Sequence, residues 1–248
     1  MTRPVRTRPI TALTRGLAAA TLLLAGASAA HAQAPAPDRF EKDIVGFEER
    51  DKTAPPPKGE IVFVGSSTIR LWDTAAAFPD LKIINRGFGG SWLSDATHYA
   101  DRIIIPYEPR LVVVYAGDND IAQAYTSETL ALEYERFVRT IHAKLPRTRI
   151  LFVAIKPSIL RWLADERFDM ANDLIRRISE KDDRLAYVDF GGLMLGWDEK
   201  PRPELFISDG LHMTPAGYAI WNAAIKPFLM PPTPAAPAAP STAKPSTR

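Results

Sequence analysis

The 248-residue sequence contains no cysteine. That excludes disulfides, thiol catalysis and cysteine-ligated metal centres, so the fold must be held by its apolar core. It also excludes a lipid anchor carried on cysteine. Histidine is scarce, limited to His31, His98, His142 and His212, which leaves few candidates for a general base. The body of the chain has no Lys/Arg-rich run, and nucleic acid is therefore not the expected partner. No apolar run reaches the ~20 residues that span a bilayer; the stretch Gly16 to Ala27 is too short. There is no internal repeat.

Both ends differ from the middle. Arg3, Arg6, Arg8 and Arg15, with no acidic residue among them, precede the apolar stretch, and Ala30-His31-Ala32 supplies an A-x-A cleavage site. Residues 1–32 are thus expected to be a signal peptide cleaved near Ala32, with export to the periplasm or the outside and no stable membrane insertion. Losing those four arginines turns the formal charge from +2 to −2. Residues 231–248, rich in Pro, Ala, Ser and Thr, are expected to form a disordered tail. Between the ends lie about 195 residues, enough for one sizeable core. Residues 33–59 read as a first helix and a stiff approach, with Phe40, Ile44 and Phe47 at helical spacing and then Pro55-Pro56-Pro57. Residues 60–230 read as the folded domain.

Within it, apolar β-rich runs are expected to be strands at 61–64, 81–84, 111–115, 150–155 and 185–188. Helical periodicity separates them: 94–105, then 130–145 with apolar residues at 130, 134, 137, 138, 141 and 145, then a stripe from Phe168 to Ile178. A last helix begins at Thr214-Pro215, a capping residue followed by a favoured first residue. Five alternations call for an α/β fold: a three-layer α/β/α sandwich around a five-stranded parallel sheet in the order 2-1-3-4-5. In that order the switch point falls between strands one and three, and ligands bind at the C-terminal edge there.

Four stretches reach toward that edge. The first strand stops at Gly65-Ser66-Ser67 and offers two hydroxyls. Asn85-Arg86-Gly87-Phe88-Gly89-Gly90 is a glycine loop, but Trp92 stands where a dinucleotide fingerprint needs glycine. The third strand runs into Gly117-Asp118-Asn119-Asp120. Asp209-Gly210-Leu211-His212 puts a carboxylate three residues before an imidazole, close enough to hold its tautomer. His142, beside an amphipathic stripe, reads as a surface or internally bonded histidine, and His98 lies in a helical segment near the glycine loop.

Taken in order, these four stretches resemble the four blocks of the SGNH (GDSL-type) esterase family, and with the strand pattern the resemblance covers about 60–228. It implies a secreted serine esterase with no cofactor and no metal. Ser67 would be the nucleophile, His212 the base and Asp209 its orienter. The Ser67 and Gly90 N–H groups and the Asn119 side chain would form the oxyanion hole. Short acyl groups, such as acetyl on carbohydrate, are the expected substrates, and a small-molecule or glycan ester the expected partner. Lysophospholipase, thioesterase and acetyl-transfer activities share the same site. Two positions depart from the family pattern: Ser66 replaces the usual Asp, and Asp118 has no assigned role. Asp120 is expected to cap the segment after strand three. Phe88, Trp92, Lys156, Arg161 and Trp162 are candidate pocket residues. Two other readings use the same residues: a metal-dependent phosphoesterase on Asp118, Asp120, Asp209 and His212, and a non-catalytic glycan-binding module.

Overall fold

A computed structural model describes residues 36, 38–123 and 125–230. The expected signal peptide and C-terminal tail lie outside the described residues. In chain order the elements are α1 (Glu41–Thr53), β1 (Ile61–Gly65), α2 (Ser67–Arg70), α3 (Thr74–Ala77), β2 (Ile83–Gly87), α4 (Leu93–His98) and α5 (Ala100–Ile103). There follow β3 (Leu111–Tyr115), α6 (Asp118–Gln123), α7 (Ser127–Lys144), β4 (Arg149–Val153), α8 (Asp165–Ser179), β5 (Leu185–Val188) and α9 (Pro215–Leu229). All strand pairs are parallel and the sheet order is β2-β1-β3-β4-β5, as the alternation of elements demands.

The central strands are apolar throughout because both faces are covered. Side chains alternate between the faces. Val62, Val64, Val112, Val114, Ile150 and Phe152 join the cluster beneath α1, α4, α5, α7 and α8. Ile61, Phe63, Leu111, Val113, Leu151 and Val153 join the cluster that Trp221, Ile225 and Leu229 of α9 close. Each such side chain contributes about 1.5–3 kcal/mol on burial.

The second strand differs from expectation. It runs from Ile83 to Gly87, so Asn85 and Arg86 belong to the ladder. Arg86 is tolerated there because its guanidinium is satisfied: Nε donates to Tyr107 Oη at 3.0 Å and Nη2 pairs with Asp51 at 2.5 Å. The helix expected at 94–105 is two short helices, parted at Tyr99, whose backbone leaves helical geometry while its ring packs on Phe88. β4 ends at Val153, which leaves Ala154 to Ser158 as a buried loop. At α9, Thr214 accepts from the Gly217 N–H and Pro215 takes the first position. No helix among the described residues is long and apolar enough to cross a membrane.

Candidate active site

The C-terminal end of β1 is locked before any side chain acts. Gly65 has φ +139°, and a Cβ there would lie 1.9 Å from the Tyr115 carbonyl oxygen, so only glycine fits. Its neighbour Ser66 donates its N–H to that oxygen at 3.1 Å, and the Phe88 N–H donates to the Gly65 carbonyl at 2.9 Å. β1 therefore ends tied to both neighbouring loops. Ser67 is the first residue of α2, and Asn85 holds that short helix from below. Asn85 Nδ2 donates to the Ile69 and Trp72 carbonyls at 2.8 and 3.2 Å, while its Oδ1 accepts the Gly87 N–H. On the other side Tyr218 Oη of α9 donates to the Thr68 carbonyl at 2.8 Å.

His212 comes from a tight turn between Phe206 and Met213, which pair in an antiparallel bridge. The Ile207 N–H donates to the His212 carbonyl, and Gly210 takes φ +66°. Asp209 organises the turn: its Oδ1 accepts the Leu211 and His212 N–H groups at 2.8 and 2.9 Å. Its Oδ2 lies 2.6 Å from His212 Nδ1, and His212 Nε2 lies 2.8 Å from Ser67 Oγ. Desolvation opposes charge on Asp209, but the bonds from the imidazole and the two amides outweigh it and lower the carboxyl to about 2. Ser66 is excluded from this chain of bonds: its Oγ is buried with no partner among the described residues.

The loop after β3 faces the same edge. Asn119 Nδ2 donates to the Ser91 carbonyl at 3.1 Å, which places this amide one residue from Gly90. Gly90 has φ +80°. Among the described residues neither the Gly90 nor the Ser67 N–H has an acceptor. Asp120 caps as expected: it takes the Gly117 N–H at 3.0 Å and, beyond expectation, the Leu93 N–H at 2.9 Å at the start of α4. Burial raises its carboxyl to about 7 against those amides.

Asp118 has a role that the sequence did not disclose. Its Oδ2 pairs with Arg161 Nη1 at 3.0 Å, and Arg161 Nη2 donates to Asn119 Oδ1 at 2.7 Å. Arg161 is therefore held against the Asn119 amide. Phe88 is no pocket residue: it packs on Phe40 and Tyr99 in the core. Trp92 is buried against Tyr125 at 4.8 Å. Trp162 is partly exposed and lines a cleft of about 560 Å³ with Ile159, Trp197, Pro201 and Pro203. Ile159 and Pro203 also line a groove that contains Asp209. Trp197, which periodicity gave no reason to single out, is 98 % exposed at the tip of the turn that Leu195 and Pro201 bridge. His98 stacks edge-on against Tyr99, and His142 Nε2 bonds the Thr148 carbonyl at 3.0 Å. Asp118, Asp120 and the Asp209–His212 pair are engaged in three separate sets of bonds. Among the described residues no group of three or more His, Asp or Glu side chains is arranged to hold a metal ion.

Lys156 is 2 % exposed, and its Nζ has no hydrogen-bond acceptor among the described residues. It lies 5.7 Å from the Phe206 ring. Burial lowers its ammonium to about 8, with Asp118 and Asp209 pulling the other way. The folded value lies below the unfolded one, so burying the charged form costs stability below about pH 8, and that cost fades as pH rises toward the unfolded value. Lys156→Met is expected to stabilise the protein at pH 7 by roughly 2–3 kcal/mol. The gain in melting temperature is about 4–12 °C and shrinks above pH 8. Thermal melts across pH check this; a lower melting temperature at pH 7 contradicts it.

Residues 68–220 match the GDSL-like lipase/acylhydrolase family. The match begins one residue after Ser67. Among curated proteins, none matches this sequence. Solved structures do. A GDSL-like lipase from Bacteroides thetaiotaomicron superposes with a TM-score of 0.63 at 22% identity, over 75% of this chain and 96% of the other. An acetylxylan esterase from Geobacillus stearothermophilus superposes with a TM-score of 0.56 at 15% identity, over 70% of this chain and 95% of the other. At such identities these likenesses speak for the fold alone. The matched stretch spans more than half of the sequence: the chain belongs to the GDSL-like lipase/acylhydrolase family and is an ester-bond hydrolase.

Proposed function

We propose that the protein is an exported serine esterase that removes short acyl groups, such as acetyl, from carbohydrates. The observation that carries the proposal is the relay Asp209–His212–Ser67, with contacts of 2.6 and 2.8 Å. In this reading His212 Nε2 takes the proton from Ser67 Oγ as the oxygen attacks the ester carbonyl. The carbonyl oxygen becomes an oxyanion between the Ser67 N–H, the Gly90 N–H and the second hydrogen of Asn119 Nδ2. His212 returns the proton to the departing alcohol, and water then repeats the sequence on the acyl-enzyme. Transfer of the acyl group to a sugar hydroxyl uses the same steps with a different acceptor. Export rests on the basic, apolar and A-x-A segments of residues 1–32.

The carbohydrate side of the proposal draws on the cleft beside Asp209. Trp162 and Trp197 offer indole faces of the kind that stack on sugar rings, and Asp198, Lys200 and Glu204 offer polar groups around them. The acetylxylan esterase likeness is consistent with it. A second reading, hydrolysis of lysophospholipids, is favoured by the exposed side chains of Leu160 and Leu163 on the same loop.

A chain-length series of 4-nitrophenyl esters on the purified protein, followed by acetylated xylan and lysophosphatidylcholine, tests these readings. The expected order is acetate over butyrate over octanoate, with label from a serine-directed phosphonate on Ser67. Trp197→Ala is expected to leave aryl acetate turnover unchanged and to slow release of acetate from xylan. Preference for octanoate and lysophospholipid overturns the carbohydrate reading, and failure of phosphonate to label the folded protein overturns the serine mechanism.

A further inference from the structure

The asparagine of an oxyanion hole is useful in only one of two orientations. Its amide is nearly isosteric about the Cβ–Cγ axis, so a flip exchanges a donor for an acceptor with little change of shape. In the wrong orientation Oδ1 would face the developing negative charge and repel it. Two neighbours of Asn119 oppose the flip. Arg161 Nη2 donates to Oδ1 at 2.7 Å, and the Ser91 carbonyl accepts from Nδ2 at 3.1 Å. A flipped amide would set its NH2 against the guanidinium and its oxygen against a carbonyl. The second hydrogen of Nδ2 stays free.

The guanidinium is itself restrained. Arg161 Nη1 pairs with Asp118 Oδ2 at 3.0 Å, and Asp118 Oδ1 accepts the Asn119 N–H at 3.0 Å. Asp118, Arg161 and Asn119 thus form a closed ring of two hydrogen bonds and one ion pair. Its members are buried or nearly so, with side-chain exposures of 5 % for Asp118 and 15 % for Arg161. In such surroundings a charge-assisted bond is stronger than in water. Drawing electron density onto Oδ1 also makes the opposite N–H a better donor.

We infer that Arg161, clamped by Asp118, is a positioning residue that orients and polarises the Asn119 amide for the oxyanion. The inference rests on the esterase reading above and adds to it two residues outside the four family blocks' usual roles. It also gives Asp118, which is immaterial to the relay itself, a purpose: without it the guanidinium could swing to solvent and Asn119 would lose its lock.

A double-mutant cycle on aryl acetate hydrolysis tests this, with Arg161→Met, Asn119→Ala and the pair. Losing an oxyanion donor outright lowers kcat by about 10²–10³. Arg161→Met is expected to lower kcat by roughly 10–100-fold, less than loss of the donor, with KM nearly unchanged. In the Asn119→Ala background it is expected to cost almost nothing more, because there is no amide left to orient. Arg161→Lys, which keeps one donor, recovers part of kcat. Should Arg161→Met fail to fold, Asp118→Asn carries the same cycle, since it keeps an acceptor for the Asn119 N–H and removes only the ion pair. Effects that multiply across the cycle, or a rise in KM at constant kcat, overturn the inference. A Ser67→Ala variant measured alongside separates the two levels: if it is inactive while the cycle is additive, the esterase reading stands and this inference falls. If it is active, the esterase reading falls first.

Discussion

Ser67→Ala is expected to drop aryl acetate turnover by about 10⁶, to the background of the assay, while Ser66→Ala keeps most of it. The two serines are adjacent, yet the fold treats them oppositely. Ser67 opens α2 with its Oγ 2.8 Å from His212 Nε2. Ser66 turns its Oγ into the interior, where it has no partner among the described residues. The work of Ser66 is done by its backbone: its N–H donates to the Tyr115 carbonyl, and its carbonyl accepts from Ile69 and Arg70. Alanine keeps all three bonds. A capping serine usually costs about 0.5–2 kcal/mol to remove, but this one accepts no cap bond through its side chain. Removing a buried, unpaired hydroxyl is close to neutral. The Ser66 variant is therefore expected to melt near the wild-type temperature. Turnover and melting curves of both variants, with mass spectrometry of phosphonate-treated protein, check the assignment; an active Ser67→Ala with an inactive Ser66→Ala would reverse it.

Much of this site was legible because a parallel sheet converts strand ends into neighbours. Ile61–Val64, Leu111–Tyr115 and Ile150–Val153 are apolar runs that can only be central strands, so the loops after them had to share one edge. The turn Asp209–His212 was legible because its key contact is local, three residues long. What escaped reading depends on contacts across long stretches of chain. The Arg161–Asn119 bond joins residues 42 apart, and nothing in either neighbourhood specifies the other. Both residues follow strands that end at the predicted edge, and that shared address was the one available hint. The end of β2 was misplaced because Asn85 and Arg86 look like loop residues until their partners are known: the Ile69 and Trp72 carbonyls for one, Asp51 and Tyr107 for the other. Phe88, Trp92 and Lys156 border the right loops, which makes them candidates for a pocket and equally for the core. Position along the chain does not say which way a side chain turns, and these three turn inward.

Asp209→Asn carries the second large effect. It is expected to lower kcat about 10⁴-fold while leaving the fold of the turn intact. Asparagine Oδ1 can still accept the Leu211 and His212 N–H groups, so the backbone stays as it is. The change falls on the imidazole. A carboxylate at 2.6 Å from Nδ1 accepts a hydrogen bond from Nδ1–H and so keeps the ring proton there, which leaves Nε2 as the acceptor that the proposed relay requires. The asparagine NH2 donates to Nδ1 instead, the proton moves to Nε2, and the base points a hydrogen at the hydroxyl it should deprotonate. KM for an aryl acetate should change little, because in the proposed relay Asp209 acts on His212 and not on substrate. Stability gives an independent reading. The carboxyl is lowered to about 2 in the folded protein, below its unfolded value of about 4, so its ionised form contributes stability above pH 4 that is lost as pH falls toward 2. The wild type should therefore melt above Asp209→Asn at neutral pH, and the two curves should converge in strong acid. An Asp209→Asn variant with near-normal kcat would mean that His212 is oriented by some other group, and the relay would have to be redrawn without its acid.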